Sequence, residues 1–369
     1  MPYERDNIAA LAPYVPGEQP SWADTAHPVR PTLKLNTNEN PYPPADPVLN
    51  TIRELPAEAL RLYPPPRADA FRQAAAAVHD PTHSLTPDHI LATNGGDELL
   101  RLLITTTCPP AGMRAGIGAT SPTYSLYPVL AAIHPAPLTE IPRDSDTFAP
   151  PPAQALAHAW NDAGCSLAFF VNPHAPSGRL ESLDYLRTLA DQFEGLLVID
   201  EAYVDFAPRH AIPLVQERRK NVVILRSLSK GYALAGLRFG YAIAHPDRIT
   251  ALDKARDSYN TDILSQVAAT AALQHRDLAE QSWQAVISER TRLTDALTAA
   301  GWRTWPSHSN FILTQPPQPS PAKAKSIYED LKANDILIRY FNTPGLADKL
   351  RISIGTPDQT TQLLTALNI

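Results

Sequence analysis

Short apolar runs recur between residues 88 and 243, at His89–Ala92, Ser166–Val171, Leu196–Ile199, Val222–Leu225 and Phe239–Ile243. Runs of this length, separated by helical stretches, predict strands buried on both faces. Strands alternating with helices predict a mostly parallel sheet covered on both sides. Beyond about Pro246 the pattern lengthens. Helices are predicted over Asp262–Leu273, Leu278–Ala300 and Ala322–Ala333, and strands at Asn310–Leu313, Ile336–Tyr340 and Leu350–Ile354, which together predict a smaller α+β unit. The first forty-odd residues, rich in Pro, Asn and Tyr, read as an arm and not as a packed unit. The division is an arm over 1–44, a large α/β domain over 45–250 and a small C-terminal domain over 251–369.

Composition restricts the partners more than the fold. Lys and Arg number 32 against 38 Asp and Glu, a net charge of −6, so bulk electrostatics favours neither nucleic acid nor an anionic membrane. No apolar run approaches the roughly 18 residues of a membrane span. Met1–Asp6 lacks the basic and apolar regions of a signal peptide, so the expected compartment is the cytoplasm. The two cysteines, Cys108 and Cys165, lie far apart without a CxxC spacing and read as ordinary thiols. His79 and His83 have the spacing of a zinc helix, but Pro81 between them breaks that helix, and no metal site is expected. Gly116-Ile117-Gly118 begins like a dinucleotide fingerprint and then has Ser121 where the third glycine belongs.

Parallel sheets place ligands at the carboxyl ends of their strands, so the residues after each run carry the candidate chemistry. Lysine is scarce, eight in all, and Lys230 sits in Ser227-Leu228-Ser229-Lys230-Gly231 directly after a buried-strand pattern. A loop lysine is ordinarily a surface lysine. One among serines and apolar residues, with no acid in the loop, is also the setting in which desolvation makes an amine nucleophilic toward a carbonyl. Arg238 follows in Gly236-Leu237-Arg238-Phe239-Gly240, and a guanidinium with serine hydroxyls suits a phosphate. Thr93-Asn94-Gly95-Gly96-Asp97-Glu98 opens a helix, either as a plain cap or as a set of free N–H groups facing an anion. Asp200 ends the run Leu196–Ile199; it is a helix cap or a carboxylate for a protonated ring nitrogen.

The run Ser227–Gly240 resembles the cofactor-lysine motif of the class I/II, fold-type-I pyridoxal-phosphate aminotransferases. Five further segments are similar to those of the histidinol-phosphate aminotransferase family: 14–17, Leu35–Tyr42, Arg61–Pro64, Asp200–Tyr203 and Leu350–Gly355. The resemblance implies a large, mostly parallel α/β/α domain with a smaller α+β C-terminal domain, pyridoxal phosphate as cofactor, and transamination between L-histidinol phosphate and 2-oxoglutarate. It implies Lys230 as the lysine bonded to the cofactor and as proton shuttle, Asp200 at the pyridine nitrogen and Tyr203 at the ring hydroxyl. The phosphate would be held by the backbone of Gly96, Asp97 and Glu98 with Ser227, Ser229 and Arg238, and Tyr124 would stack on the ring. Tyr63 matches a tyrosine that reaches the phosphate from a neighbouring subunit, which implies a homodimer with shared sites.

Arg351 matches the arginine that anchors the donor carboxylate, and Arg339 a second one for the distal phosphate. Tyr14 and Asn40, from the arm, would close over the substrate. The family's usual Asn-Pro-Asn-Asn-Pro-Thr-Gly stands here as Asn172-Pro173-His174-Ala175-Pro176-Ser177-Gly178, so the asparagine for the ring hydroxyl aligns with Ala175 and Asn172 is the candidate replacement. Two other readings stay open: another enzyme of the same fold, such as an aromatic aminotransferase or a threonine-phosphate decarboxylase, and a cofactor-bearing protein that binds without turnover.

Overall fold

A computed structural model of the chain describes residues 3–12, 17–19, 32–80, 84–109, 112 and 114–369. Its strands in chain order are β1 (Leu33–Lys34), β2 (Ile90–Thr93), β3 (Gly116–Ser121), β4 (Leu138–Pro142), β5 (Cys165–Val171), β6 (Leu196–Asp200) and β7 (Val222–Ser227). There follow β8 (Gly240–Ala244), β9 (Arg303–Thr304), β10 (Phe311–Gln315), β11 (Ile336–Leu337), β12 (Arg339–Tyr340) and β13 (Leu350–Ser353). Seven of them form one sheet in the order β2-β8-β7-β6-β5-β3-β4. β8 runs antiparallel to both neighbours, and the remaining pairings are parallel. Every residue of β2, β6, β7 and β8 is buried, which is why these strands read as continuous apolar runs.

Alternate residues of each strand enter two separate cores. Ala168, Phe170, Leu197 and Ile199 pack on one face with Trp160 and Phe193; Leu167, Phe169 and Val198 pack on the other with Leu99, Leu103 and Leu130. The result is the predicted α/β/α layering. A second sheet, β12-β13-β10-β9, is antiparallel throughout and forms the smaller unit. The helix Ile263–Gln274, the long helix Arg276–Ala299 and the helix Pro321–Ala333 lie close to their predicted positions, and a further helix, Pro357–Ala366, follows β13.

Two features depart from the sequence reading. Gly116–Ser121, where no apolar run marks a strand, is the inner strand β3. A Cβ on Gly118 would lie 2.8 Å from the Trp160 ring, so this glycine admits an indole against the sheet. Nor is the end of the arm unpacked: Leu33 and Leu35 are buried, and β1 pairs in parallel with β11. Two buried leucines and a strand partner outweigh the polar, proline-rich composition around them.

The topology brings one edge of the large sheet into focus. The carboxyl ends of β2, β3, β5, β6 and β7 and, because β8 is reversed, the amino end of β8 all open there. Gly240, at that end of β8, lies opposite both Thr93 and Ser227. A Cβ on it would lie 2.7 Å from the Gly95 carbonyl carbon and 2.8 Å from Gly96 N, backbone that has no flexible end to move. Gly240→Ala is therefore expected to lower stability by about 1–3 kcal/mol, read as a reduced urea midpoint; an unchanged midpoint would show that the Gly95–Gly96 turn yields freely.

Candidate active site

A cavity of about 1050 Å³ opens at this edge, walled by the loops after the large sheet's strands, by residues 36–39 and by the small sheet. That volume lies at the upper end of the roughly 300–1,000 Å³ of ligand pockets.

Lys230 lies in the wall three residues beyond the end of β7, and its Nζ donates to the Thr37 carbonyl at 2.9 Å. Burial is the main reason its pKa falls to about 8; Arg351, Lys34 and Arg238 push in the same direction and Glu39 opposes them. Asp200, at the end of β6, is 5% exposed. Its Oδ2 accepts from the Tyr127 hydroxyl at 2.8 Å and its Oδ1 from the Ala202 N–H at 3.0 Å. Burial raises its pKa, and these two hydrogen bonds oppose the rise. Among the described residues it has no cationic partner.

Ser227 and Ser229 leave β7 side by side, the Ser229 N–H donating to Ser227 Oγ at 3.1 Å. Arg238 Nη1 reaches Ser229 Oγ at 3.3 Å, and Arg238 Nη2 lies 3.5 Å from Asp97. Gly96 and Asp97 open the helix Gly95–Thr107 on the same wall, so hydroxyls, a guanidinium and unpaired helix N–H groups converge there. Tyr124 and Tyr203 also line the cavity, Tyr203 edge-on to Phe311.

Across the cavity, Arg339 and Arg351 occupy directly opposed positions of β12 and β13, and both line the wall. Both guanidiniums lie 5.4 Å from the Phe341 ring, and Arg351 Nη2 donates to the Asn36 carbonyl at 3.1 Å. Like charges at opposed positions repel, an arrangement that an anion between them relieves.

Several expectations meet a different placement. Asn172 is not part of the wall: its Oδ1 accepts the Glu181 N–H at 2.8 Å, which turns the amide into its own loop. Ala175 does line the cavity. His174 ties its loop to the one after β3, donating from Nε2 to the Pro122 carbonyl at 2.8 Å and accepting from Ser177 Oγ at 2.7 Å on Nδ1. The Glu98 side chain caps its own helix at Asn94 N and accepts from Asn260 at 2.9 Å, outside the wall. Asn40 does not close over the cavity. Its Nδ2 donates to the Gly231 carbonyl at 3.0 Å and so buttresses the turn that carries Lys230. Tyr63 stands outside the cavity, 80% exposed and stacked on Tyr259 at 4.4 Å. Tyr14 lies outside the described residues. The sequence reading missed Asn38 and Tyr127; Tyr127 stands three positions beyond Tyr124, one helical turn on, and that spacing was the available signal.

A two-layered α/β sheet with a small antiparallel unit beside its carboxyl edge, and an amine-bearing cavity between them, is the architecture of the aminotransferases of known structure. The chain belongs to the aminotransferase class I and II family, whose model matches residues 30–367. It is 41% identical over 365 residues to histidinol-phosphate aminotransferase 1 of Trichormus variabilis, covering 99% of this chain and 98% of that one. The structure of histidinol-phosphate aminotransferase from Sinorhizobium meliloti in complex with pyridoxal-5'-phosphate matches with a TM-score of 0.87 at 27% identity, covering 100% of this chain and 97% of the other. A Thermus thermophilus aspartate aminotransferase double mutant shares the fold, with a TM-score of 0.79 at 20% identity over 100% and 99% of the two chains.

The placement of Lys230 makes a direct chemical prediction. Below pH 8 its amine is protonated and unreactive; above it the free base accumulates, whereas a solvated lysine waits until about 10.4. Competitive acylation of the cofactor-free protein, read by mass spectrometry, should place the midpoint for Lys230 near 8. A midpoint near 10 would contradict the desolvated setting.

Proposed function

We propose that the chain is a pyridoxal-phosphate-dependent transaminase that interconverts L-histidinol phosphate and 2-oxoglutarate with imidazole-acetol phosphate and glutamate, in histidine biosynthesis. The observation that carries this reading is the joint presence, in one cavity, of the poorly hydrated Lys230 amine, the buried Asp200 carboxylate and the opposed pair Arg339 and Arg351. The residues fit the cofactor. A buried carboxylate with only neutral donors calls for a cation, and a protonated ring nitrogen is one. The serines, Arg238 and the helix start suit a phosphate dianion. The name and bound cofactor of the similar Sinorhizobium meliloti structure point the same way.

When bound, pyridoxal phosphate supplies an aldehyde for the amino group and a protonated ring that takes up electron density from the substrate's α carbon. Around it, Lys230 Nζ takes the proton from that carbon and returns it. Asp200 keeps the ring nitrogen protonated, and Tyr203 donates to the ring oxygen. Ser227, Ser229, Arg238 and the backbone of Gly96 and Asp97 hold the phosphate, and Tyr124 stacks on the ring. Arg351 takes the α-carboxylate of glutamate or 2-oxoglutarate and Arg339 the phosphate of histidinol phosphate. Leu60, Leu62 and Tyr63 form an exposed apolar patch, which in this reading a second copy covers while Tyr63 enters that copy's site. No helix among the described residues is long and apolar enough to cross a membrane, and the proposed setting is the cytoplasm.

With 2-oxoglutarate as the common acceptor, glutamate formation should be fastest when histidinol phosphate is the amino donor and much slower with phenylalanine. Faster turnover of phenylalanine, or release of carbon dioxide, would replace this reading with another of the same fold. Lys230→Ala should abolish turnover, and Asp200→Asn should lower kcat by roughly 10²-fold or more. Arg339→Ala should raise KM for histidinol phosphate by roughly 10–10²-fold, the loss of a charge-assisted hydrogen bond, and change kcat far less. Equal KM values in the variant and the unsubstituted enzyme would remove Arg339 from the substrate site.

A further inference from the structure

Asn38 is 2% exposed and holds a left-handed backbone, φ 57°, between the large sheet and the small one. Its hydrogen bonds have a fixed polarity. The Asn38 N–H donates to Ser353 Oγ at 2.9 Å, which commits the Ser353 proton to Asn38 Oδ1 at 3.2 Å. With Oδ1 occupied, the amide can turn only one way, and Nδ2 donates to the Tyr203 hydroxyl at 3.1 Å. The Asn38 carbonyl accepts from Asn310 Nδ2 at 2.8 Å, so the residue is held on all sides. A phenol oxygen that accepts from an amide uses its own proton as donor. Chains of this kind polarise each link in turn. Ala175, on the same wall, offers no side-chain donor.

We infer that Asn38 is a positioning residue that sets the direction of the Tyr203 hydroxyl, fixing it as a hydrogen-bond donor to the ring oxygen of the bound cofactor in place of the side chain lacking at position 175. The inference rests on the proposed cofactor site. It also joins Tyr203 to β13, because Ser353 stands two residues from Arg351 on the same face of that strand. The charged groups that face the site are Asp97, Asp200, Lys230 and Arg238 from the large sheet's carboxyl edge, Glu140, Arg143 and Asp144 at the end of β4, Glu39 with Lys34 from the N-terminal segment, and Arg339 and Arg351 from the small sheet; the variants below leave all of them in place.

The test is the pH titration of the visible absorbance band of the pyridoxal-phosphate-loaded protein. A donor to the ring oxygen stabilises the deprotonated chromophore, so losing it moves the transition to higher pH. Tyr203→Phe should raise the midpoint. Asn38→Gly, which keeps the positive φ without strain, should raise it by about 0.4 to 1 pH unit, the shift that loss of one net hydrogen bond produces. In the Tyr203→Phe background Asn38→Gly should add nothing, since the two act through one hydroxyl. Asn38→Ser, an uncharged side chain one atom too short to donate to Tyr203, should show the same dependence on Tyr203 and covers the case in which Asn38→Gly fails to fold. The inference is overturned if Tyr203→Phe moves the midpoint while both Asn38 variants leave it in place, or if their shifts persist undiminished without the hydroxyl. Absence of a visible band with the unsubstituted protein, or a midpoint indifferent to Tyr203→Phe, brings down the cofactor reading itself and the inference with it.

Discussion

An ammonium group carried to the floor of a cavity loses hydration worth several kcal/mol, and it recovers that either by pairing with an anion or by giving up its proton. Lys230 is arranged for the second course. Its nearest anion, Glu39, is already engaged by Lys34, and its own hydrogen bond goes to a neutral carbonyl, that of Thr37. Three cations add to the effect of burial. The arginines that make the cavity attractive to an anion are thus among the groups that lower the amine's proton affinity. One set of charges serves both binding and reactivity.

Asp200 shows the complementary constraint. A carboxylate at the end of a fully buried strand is costly unless its oxygens are satisfied, and Tyr127 and the Ala202 N–H satisfy one each. These donors are neutral, so the charge is solvated without being cancelled. A cationic ring nitrogen placed against it gains more than it would from a carboxylate already paired with arginine. The neighbouring Glu201 makes the contrast plain: one residue further on, it points into the sheet's other face and is paired with Arg226 at 2.8 Å. The alternation of the strand assigns one acid to the ligand and the next to the structure.

Much of this was legible in the sequence because it depends on local pattern. Continuous apolar runs mark strands buried on both faces, and the residue that follows such a run at a sheet's carboxyl edge faces the cavity; Asp200, Ser227 and Lys230 were found in that way. β3 was not picked out because two glycines interrupt its apolar run, one of which, Gly118, makes room for Trp160. Asn172 and Asn40 failed for a different reason. Both are polar residues beside the site whose amides are consumed by backbone groups, Glu181 N–H and Gly231 C=O, and no spacing rule reports which neighbour claims an amide. Asn38 and Tyr127 were missed because each acts through another side chain across 165 and 73 residues of sequence.

Residues 36–40 are where these separate constraints meet. The Asn36 carbonyl accepts from Arg351, the Thr37 carbonyl from Lys230, and Asn38 joins Tyr203 to Ser353 and Asn310, while Asn40 braces Gly231. Within five residues the segment touches the substrate-side arginine, the reactive amine and the phenol. Such a segment cannot shift to suit one contact without straining the others. An anion drawing on Arg351 therefore acts on Lys230 through the field: it cancels part of the positive potential that lowers the amine's proton affinity. That change favours protonation of Lys230 once an anion has arrived. The amine is most nucleophilic in the open cavity and most basic in the filled one, which is the order in which transamination needs those properties.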